Sequence, residues 1–284
     1  MRRVRPAAVN HRRLATIAAL LLLGAADASD RRTEVPDTVS QGALVVGRTA
    51  PGNTVEVGGR RVRVAADGTF VFGVARDASG RVPLRIAWFD GATEWSSPRV
   101  VAREWDVEVI DGVPPATVDP PPAVAERIAR EAAAVAAARA RDDARTGFAQ
   151  AFAWPVRGRI SGRFGSGRVY NGRPGGGHSG MDIAAAEGTP VHAPATGVVT
   201  LASDLYITGG TLLLDHGHGV SSNFLHLSRI DVDVGDTIEQ GQVIGAVGST
   251  GRATGPHLHW GMNWFDVRVD PLLVLERGGV ASGD

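Results

Sequence analysis

Five residues in the second half of the chain could hold a metal ion and move protons: His178, Asp182, His226, His257 and His259. The first two lie in His178-Ser179-Gly180-Met181-Asp182, behind the glycines 175, 176 and 177. On extended chain they would sit about 13 Å apart, too far to share an ion, so the backbone must curl between them, and Gly180 can supply the freedom. In His257-Leu258-His259 the period of two puts both imidazoles on one face of a strand and Leu258 on the other. Gly255-Pro256 ahead of it lets the backbone come close to a ligand. His226 alternates with Leu225 and Leu227, which places its ring on one face and the leucines on the other. Together the five supply three N/O ligands and two spare imidazoles, the inventory of a catalytic zinc site with an open fourth position for water. Zinc lowers the pKa of bound water toward neutrality and polarises a carbonyl; one neutral histidine can take the water's proton and another can stabilise the oxyanion.

The elements that must position these residues are β-rich. From Trp154-Pro155 to about residue 274 the chain is glycine-rich β structure, with one internal echo: Glu187-Gly188-Thr189-Pro190-Val191, leading to Gly197-Val198-Val199, has the rhythm of Val234-Gly235-Asp236-Thr237-Ile238, leading to Gly241 through Gly245. It suggests two related hairpin units in one sheet. Upstream, β-type runs at 43–46, 54–57, 61–64, 69–74, 82–89 and 99–102 are separated by turn residues such as Asp67-Gly68 and Asp90-Gly91. They point to a small antiparallel sandwich, immunoglobulin-like, acting as a spacer or docking module. Pro114-Pro115 and Pro120-Pro121-Pro122 mark a linker, and the alanine-rich stretch 123–145, with Glu126 four residues before Arg130, should be helical. The fold class is therefore mainly β: residues 33–112 a β-sandwich, 113–150 a Pro-rich linker and helix, and 151–278 an antiparallel β-sheet catalytic domain.

Residues 1–28 read as a secretory signal peptide, with five arginines before a short apolar run that ends near Ala26-Asp27-Ala28. The run is too short to span a bilayer comfortably, so cleavage after Ala28 is preferred over an uncleaved anchor, no permanent membrane span is expected, and the destination is the periplasm or the exterior. The 284 residues carry 30 basic and 30 acidic side chains and no cysteine. Disulfides and thiolate chemistry are excluded, and the charge balance excludes a general nucleic-acid binder. The leader holds five of the basic residues and one acid, which leaves 25 against 29, a net charge near −4. Missing cysteine narrows a zinc site to imidazole and carboxylate ligands, a set suited to hydrolysis.

The ordered series His-x-x-x-Asp, Asn-Phe-Leu-His-Leu-Ser and Gly-Pro-His-Leu-His resembles the lysostaphin/LytM-type zinc metallopeptidases, over about residues 152–275. Arg159-Ile160-Ser161-Gly162-Arg163-Phe164-Gly165 and Asp215-His216-Gly217-His218-Gly219 add to the likeness. The resemblance implies the duplicated hybrid motif type of sheet, with a groove across it. It implies one Zn2+ per catalytic domain held by His178, Asp182 and His259, with His226 and His257 assisting catalysis. It also implies hydrolysis of peptidoglycan peptides, stem peptides or crosslinks, with a D,D-crosslink preferred because no wall-targeting module is visible. The alternative is a noncatalytic regulator of the same fold that activates a cell-wall amidase; such relatives typically lack ligands that are complete here. A regulatory protein could dock on the N-terminal β-domain.

One departure is Phe224, where many members carry tyrosine, so a phenolic contact would have to come from Tyr170 or Tyr206. Arg157, Arg159, Arg163, Arg168 and Arg173 could read stem-peptide carboxylates, a solvated face being the ordinary expectation for most of them. His216 and His218 read as turn residues, His192 as a strand or surface histidine, and His11 as part of the leader.

Overall fold

The structure, a computed structural model, describes residues 33–277. The signal peptide expected over residues 1–28 lies outside the described residues. Among the described residues no helix is long and apolar enough to cross a membrane.

The protein is mainly β, with small N-terminal sheets, a connecting helix and a large antiparallel sheet. That sheet runs in the order Arg159–Gly162, Gly180–Ala184, His257–Trp264, Val220–Leu227, Gly209–Gly217, Gly197–Leu205 and Thr237–Ile238, with Val267–Val269 pairing onto His257–Trp264. Its long central strands are buried on both faces: Val220–Leu227 and Gly209–Gly217 have no exposed position. Neither is a continuous apolar run, and Thr211, Asp215, Ser221, Ser222 and Asn223 are buried along them. Trp260, Phe224, Met181 and Leu212 fill the core on one face, together with Phe148 and Phe152 from the segment entering the sheet.

The two echoing segments pair with each other reciprocally. Pro190–His192, from the first, pairs antiparallel with Val243–Ala246, from the second, and Gly197–Leu205 pairs with Thr237–Ile238. The two hairpins expected in one sheet do not form: the first pairing lies in a separate three-stranded sheet with Arg229–Ile230, and the second at the edge of the large sheet.

At the N-terminal end Arg60–Val62, Thr54–Val57, Leu84–Ala87 and Thr93–Ser96 form a four-stranded antiparallel sheet. Leu44–Arg48 pairs with Thr69–Gly73, and Thr38–Ser40 runs parallel to Arg99–Val101. Their inward side chains, including Val55, Phe70, Phe72, Leu84 and Ile86, belong to the same apolar cluster as the core of the large sheet. Contact is close where Gly73 meets Trp264 and Val269, 3.0 and 3.1 Å from where a Cβ would stand. Arg103 reaches the buried Asp270 at 2.8 Å, a second tie across 167 residues of chain.

The helix expected over 123–145 forms as Ala125–Arg139, preceded by one 3-10 turn at Pro122–Val124. Paired prolines set the start, because their missing N–H groups coincide with the unpaired first turn. Glu131 anchors it to the sheet by accepting the Tyr206 N–H at 2.8 Å. A further strand, Val107–Ile110, leaves the N-terminal sheets and runs parallel to Gly167–Tyr170, whose other neighbour is Arg173–Gly177. This three-stranded sheet forms one wall of the site.

Candidate metal centre

The curl expected between His178 and Asp182 occurs at the turn from Arg173–Gly177 into Gly180–Ala184, and it brings His178 Nε2 to 3.0 Å from Asp182 Oδ1. Gly180 is needed for space rather than for an unusual φ. A Cβ there would stand 2.5 Å from Trp260 O, 2.7 Å from Gly261 Cα and 2.8 Å from His259 Nε2. Strand register supplies the third member: Asp182 lies opposite His259, and Ala184 opposite His257. His259 Nδ1 is 2.8 Å from Asp182 Oδ1 and 3.0 Å from His178 Nε2. All three residues are buried, and their ligand atoms converge on one point.

These residues fit a tetrahedral ion. Bonds of about 2.0–2.1 Å put tetrahedral ligand atoms roughly 3.3 Å apart, a few tenths of an ångström beyond the separations found here. His178 donates its Nδ1–H to Arg163 O at 2.9 Å, so Nε2 presents a lone pair toward a carboxylate oxygen. Two acceptors adopt that approach around a shared cation or proton. His259 Nε2 is buried with no hydrogen-bond partner among the described residues, which leaves the ring's interactions to Nδ1.

His226 and His257 face the same cleft. The rings lie 4.8 Å apart between centroids, tilted by 47°, and His226 is 6.2 Å from His259. Leu225 lies opposite His259 and lines the same cleft, so the alternation expected across Leu225, His226 and Leu227 is broken. The cause is the backbone of His226, whose φ of 65° turns its ring back to the site; a positive φ at a histidine is strain held by its surroundings. Here the His226 N–H donates to Thr208 O at 2.9 Å and its Nδ1–H to Thr250 O at 2.7 Å. His257 donates its own Nδ1–H to Gly255 O at 2.8 Å. In both rings the proton is fixed on Nδ1, and Nε2 is left as a base toward the cleft. Gly255 thus contributes its carbonyl, whereas the space around its Cα is open.

Burial keeps two of the imidazoles, His226 and His259, neutral. It pushes His259 down to about 4, and His226 down to about 3 with help from the neighbouring His259 and His257. Burial works against ionisation of Asp182, but the imidazoles of His178 and His259 against its Oδ1 hold its carboxyl well below the usual carboxylate range.

The cleft is about 690 Å³ and is lined by these residues together with Glu108, Arg159, Tyr170 and Arg252. Of the two tyrosines, Tyr170 lines it, stacked under Arg252 at 4.3 Å, whereas the Tyr206 hydroxyl faces Ala116 O at 3.3 Å. Phe224 is wholly buried opposite Trp260. The five arginines before His178 separate. Arg168 is buried against Asp182, Arg173 pairs with Asp119 at 3.0 Å, and Arg157 stacks on Trp154 at 6.0 Å. Arg163 lends its main chain to His178, which leaves Arg159 facing the cleft. Arg252 and Glu108 carry no motif and were not singled out by spacing.

Comparison with known proteins agrees with this geometry. The model of peptidase family M23 matches residues 176–271. A crystal structure of a Pseudomonas aeruginosa protein assigned to peptidase M23 is 31% identical, with a TM-score of 0.66, over 83% of this chain and 94% of that one. This chain belongs to peptidase family M23. Among M23 relatives, DD-carboxypeptidase/endopeptidase Mpg of Neisseria meningitidis is 42% identical over 97 residues, 34% of this chain and 22% of that protein. Peptidoglycan DD-endopeptidase ShyA of Vibrio cholerae is 42% identical over 83 residues, 29% of this chain and 19% of that protein. The matched stretch spans about a fifth of the length of either relative.

Proposed function

We propose that this M23 protein is an exported zinc metalloendopeptidase that hydrolyses peptide bonds in the stem peptides or crosslinks of peptidoglycan. The observation that carries the proposal is the convergence of His178 Nε2, Asp182 Oδ1 and His259 Nδ1 within 3.0 Å of one another, with two imidazoles beside them. These three atoms would hold the ion, one per catalytic domain. When bound, zinc supplies an acidified water and polarises the scissile carbonyl. His257 Nε2, 3.9 Å from Asp182 Oδ1, would take the water's proton and return it to the leaving amine, and His226 would meet the charge that develops on the carbonyl oxygen once its own Nε2 has taken up a proton. In both rings Nδ1 is engaged by a carbonyl and Nε2 is free, the arrangement a proton acceptor needs. Arg159 and Arg252 on the lining of the cleft suit a substrate that carries carboxylates.

The activities named for the Neisseria and Vibrio relatives support a D,D-bond as the one cut. Residues 151–278 serve in this reading as the catalytic domain of duplicated hybrid motif type, entered through the linker and helix of 113–150. Residues 33–112, as an immunoglobulin-like sandwich, carry exposed Phe89 and Trp95 and would dock a regulatory protein. Export through residues 1–28 would place the enzyme in the periplasm or outside the cell. Purified sacculi incubated with the protein and zinc should release peptide fragments, identified by mass spectrometry. Intact sacculi under conditions where the protein holds zinc would overturn the activity and favour the amidase-activating alternative.

A further inference from the structure

The outer partners of two metal-site residues converge on one carboxylate. The Arg163 carbonyl that accepts from His178 belongs to a residue whose N–H faces Glu108 Oε1 at 3.4 Å. Asp182 turns Oδ2 to Arg168 Nη2 at 2.9 Å, and the same nitrogen lies 2.9 Å from Glu108 Oε2. One oxygen of Glu108 therefore steadies the arm that orients His178, and the other steadies the arm that orients Asp182. Arg168 is only 7% exposed, so its charge is screened by these two carboxylates far more than by solvent. With Glu108 in place the guanidinium is balanced and Asp182 keeps its negative charge for a cation. Without Glu108 the full charge of Arg168 falls on Asp182 and opposes a second positive charge on Oδ1. Gly162 makes room for this clamp, since a Cβ there would collide with Arg168 Nη2 and Asp182 Oδ2.

We propose that Glu108 is a positioning residue of the metal centre, supplied by the strand Val107–Ile110, outside the residues 176–271 that match the family. The strand that follows the N-terminal sheets is thereby part of the site and does more than connect. The proposal rests on the zinc reading above, and outer partners of this kind typically alter metal affinity by about 10–100-fold.

Zinc affinity of the full chain, measured by competition with a chromophoric chelator, tests it directly. Glu108→Ala and Gly162→Ala should each raise the zinc Kd about 10–100-fold with far-ultraviolet circular dichroism unchanged. Glu108→Gln keeps an acceptor for the Arg163 N–H but not the charge, and should fall between wild type and Glu108→Ala. Arg63→Ala removes the surface ion pair with Asp142, whose residues do not line the cleft, and should bind zinc as wild type does. A wild-type Kd in Glu108→Ala, or an equal loss in Arg63→Ala, overturns the proposal while leaving the enzyme reading intact. A wild-type chain that binds no zinc overturns both.

Discussion

His257-Leu258-His259 and His216-Gly217-His218 space two imidazoles identically, and the sheet treats them in opposite ways. The first pair lies on a regular strand, opposite Ala184 and Asp182, so register delivers both rings to a carboxylate and a cleft. The second pair ends its strand at Gly217, whose φ is 88°, and His218 follows at 51°, so the two rings part. His216 is wholly buried: its Nδ1–H donates to Thr196 O at 2.8 Å, and its Nε2 accepts from Ser222 at 2.8 Å. His218 packs on Phe148 at 4.6 Å between centroids. Two histidines at period two become a metal-site pair only where the neighbouring strand offers a carboxylate at the matching register.

The comparison can be broken most severely at the metal face. His259→Ala should abolish zinc binding and reduce hydrolysis of sacculi to background, whereas His218→Ala should leave both unchanged; equal losses would erase the distinction. Next in size, His257→Ala should retain zinc and lose about 10²–10⁴-fold in kcat, the usual contribution of a proton-transfer group, measured on a soluble crosslinked peptide.

The buried face should announce itself through pH. Burial pushes His216 down to about 4 from its ordinary 6.5, so the unfolded chain binds a proton that the folded chain refuses between those values. Stability should therefore fall as pH drops from 6.5 toward 4, by about 3 kcal/mol from this residue. His216→Asn should flatten that part of a urea-denaturation series of the zinc-free protein, and an unchanged slope would count against a neutral buried imidazole. The smallest effect is expected for Ser222→Ala, which strips a partner from His216 and from the Trp260 N–H at 3.2 Å. It should cost about 1–3 kcal/mol of stability with kcat untouched.

Much of this site was legible in the residues themselves. Period two in His257-Leu258-His259 is a statement about strands, and it holds. The need for a curl between His178 and Asp182 follows from chain length alone, and the echo at 187–199 and 234–245 marks the strands that pair reciprocally. Other features left no local trace. His226 reaches the cleft because its backbone breaks the alternation that its leucine neighbours suggest, with Thr208 and Thr250 supplying the carbonyls that hold it. Gly180 looks like a hinge in the sequence and acts as a gap for the His259 ring. Arg168 was one arginine in a run of five, and nothing in that run marks it as the one that enters the interior.

By itself the sequence determined which side chains could carry the chemistry, since the types and spacings of ligands and the absence of cysteine leave only an imidazole and carboxylate site. It also determined the β-rich frame, because period two and turn glycines are local properties of the chain. Tertiary structure alone decided which histidines share a face with a carboxylate, and that Glu108 stands behind Arg163 and Arg168. Those facts depend on register between strands and on a parallel pairing of Val107–Ile110 with Gly167–Tyr170, nearly sixty residues later in the chain. Pairings at such separation are chosen by burial over the whole core, which no local pattern of residues records.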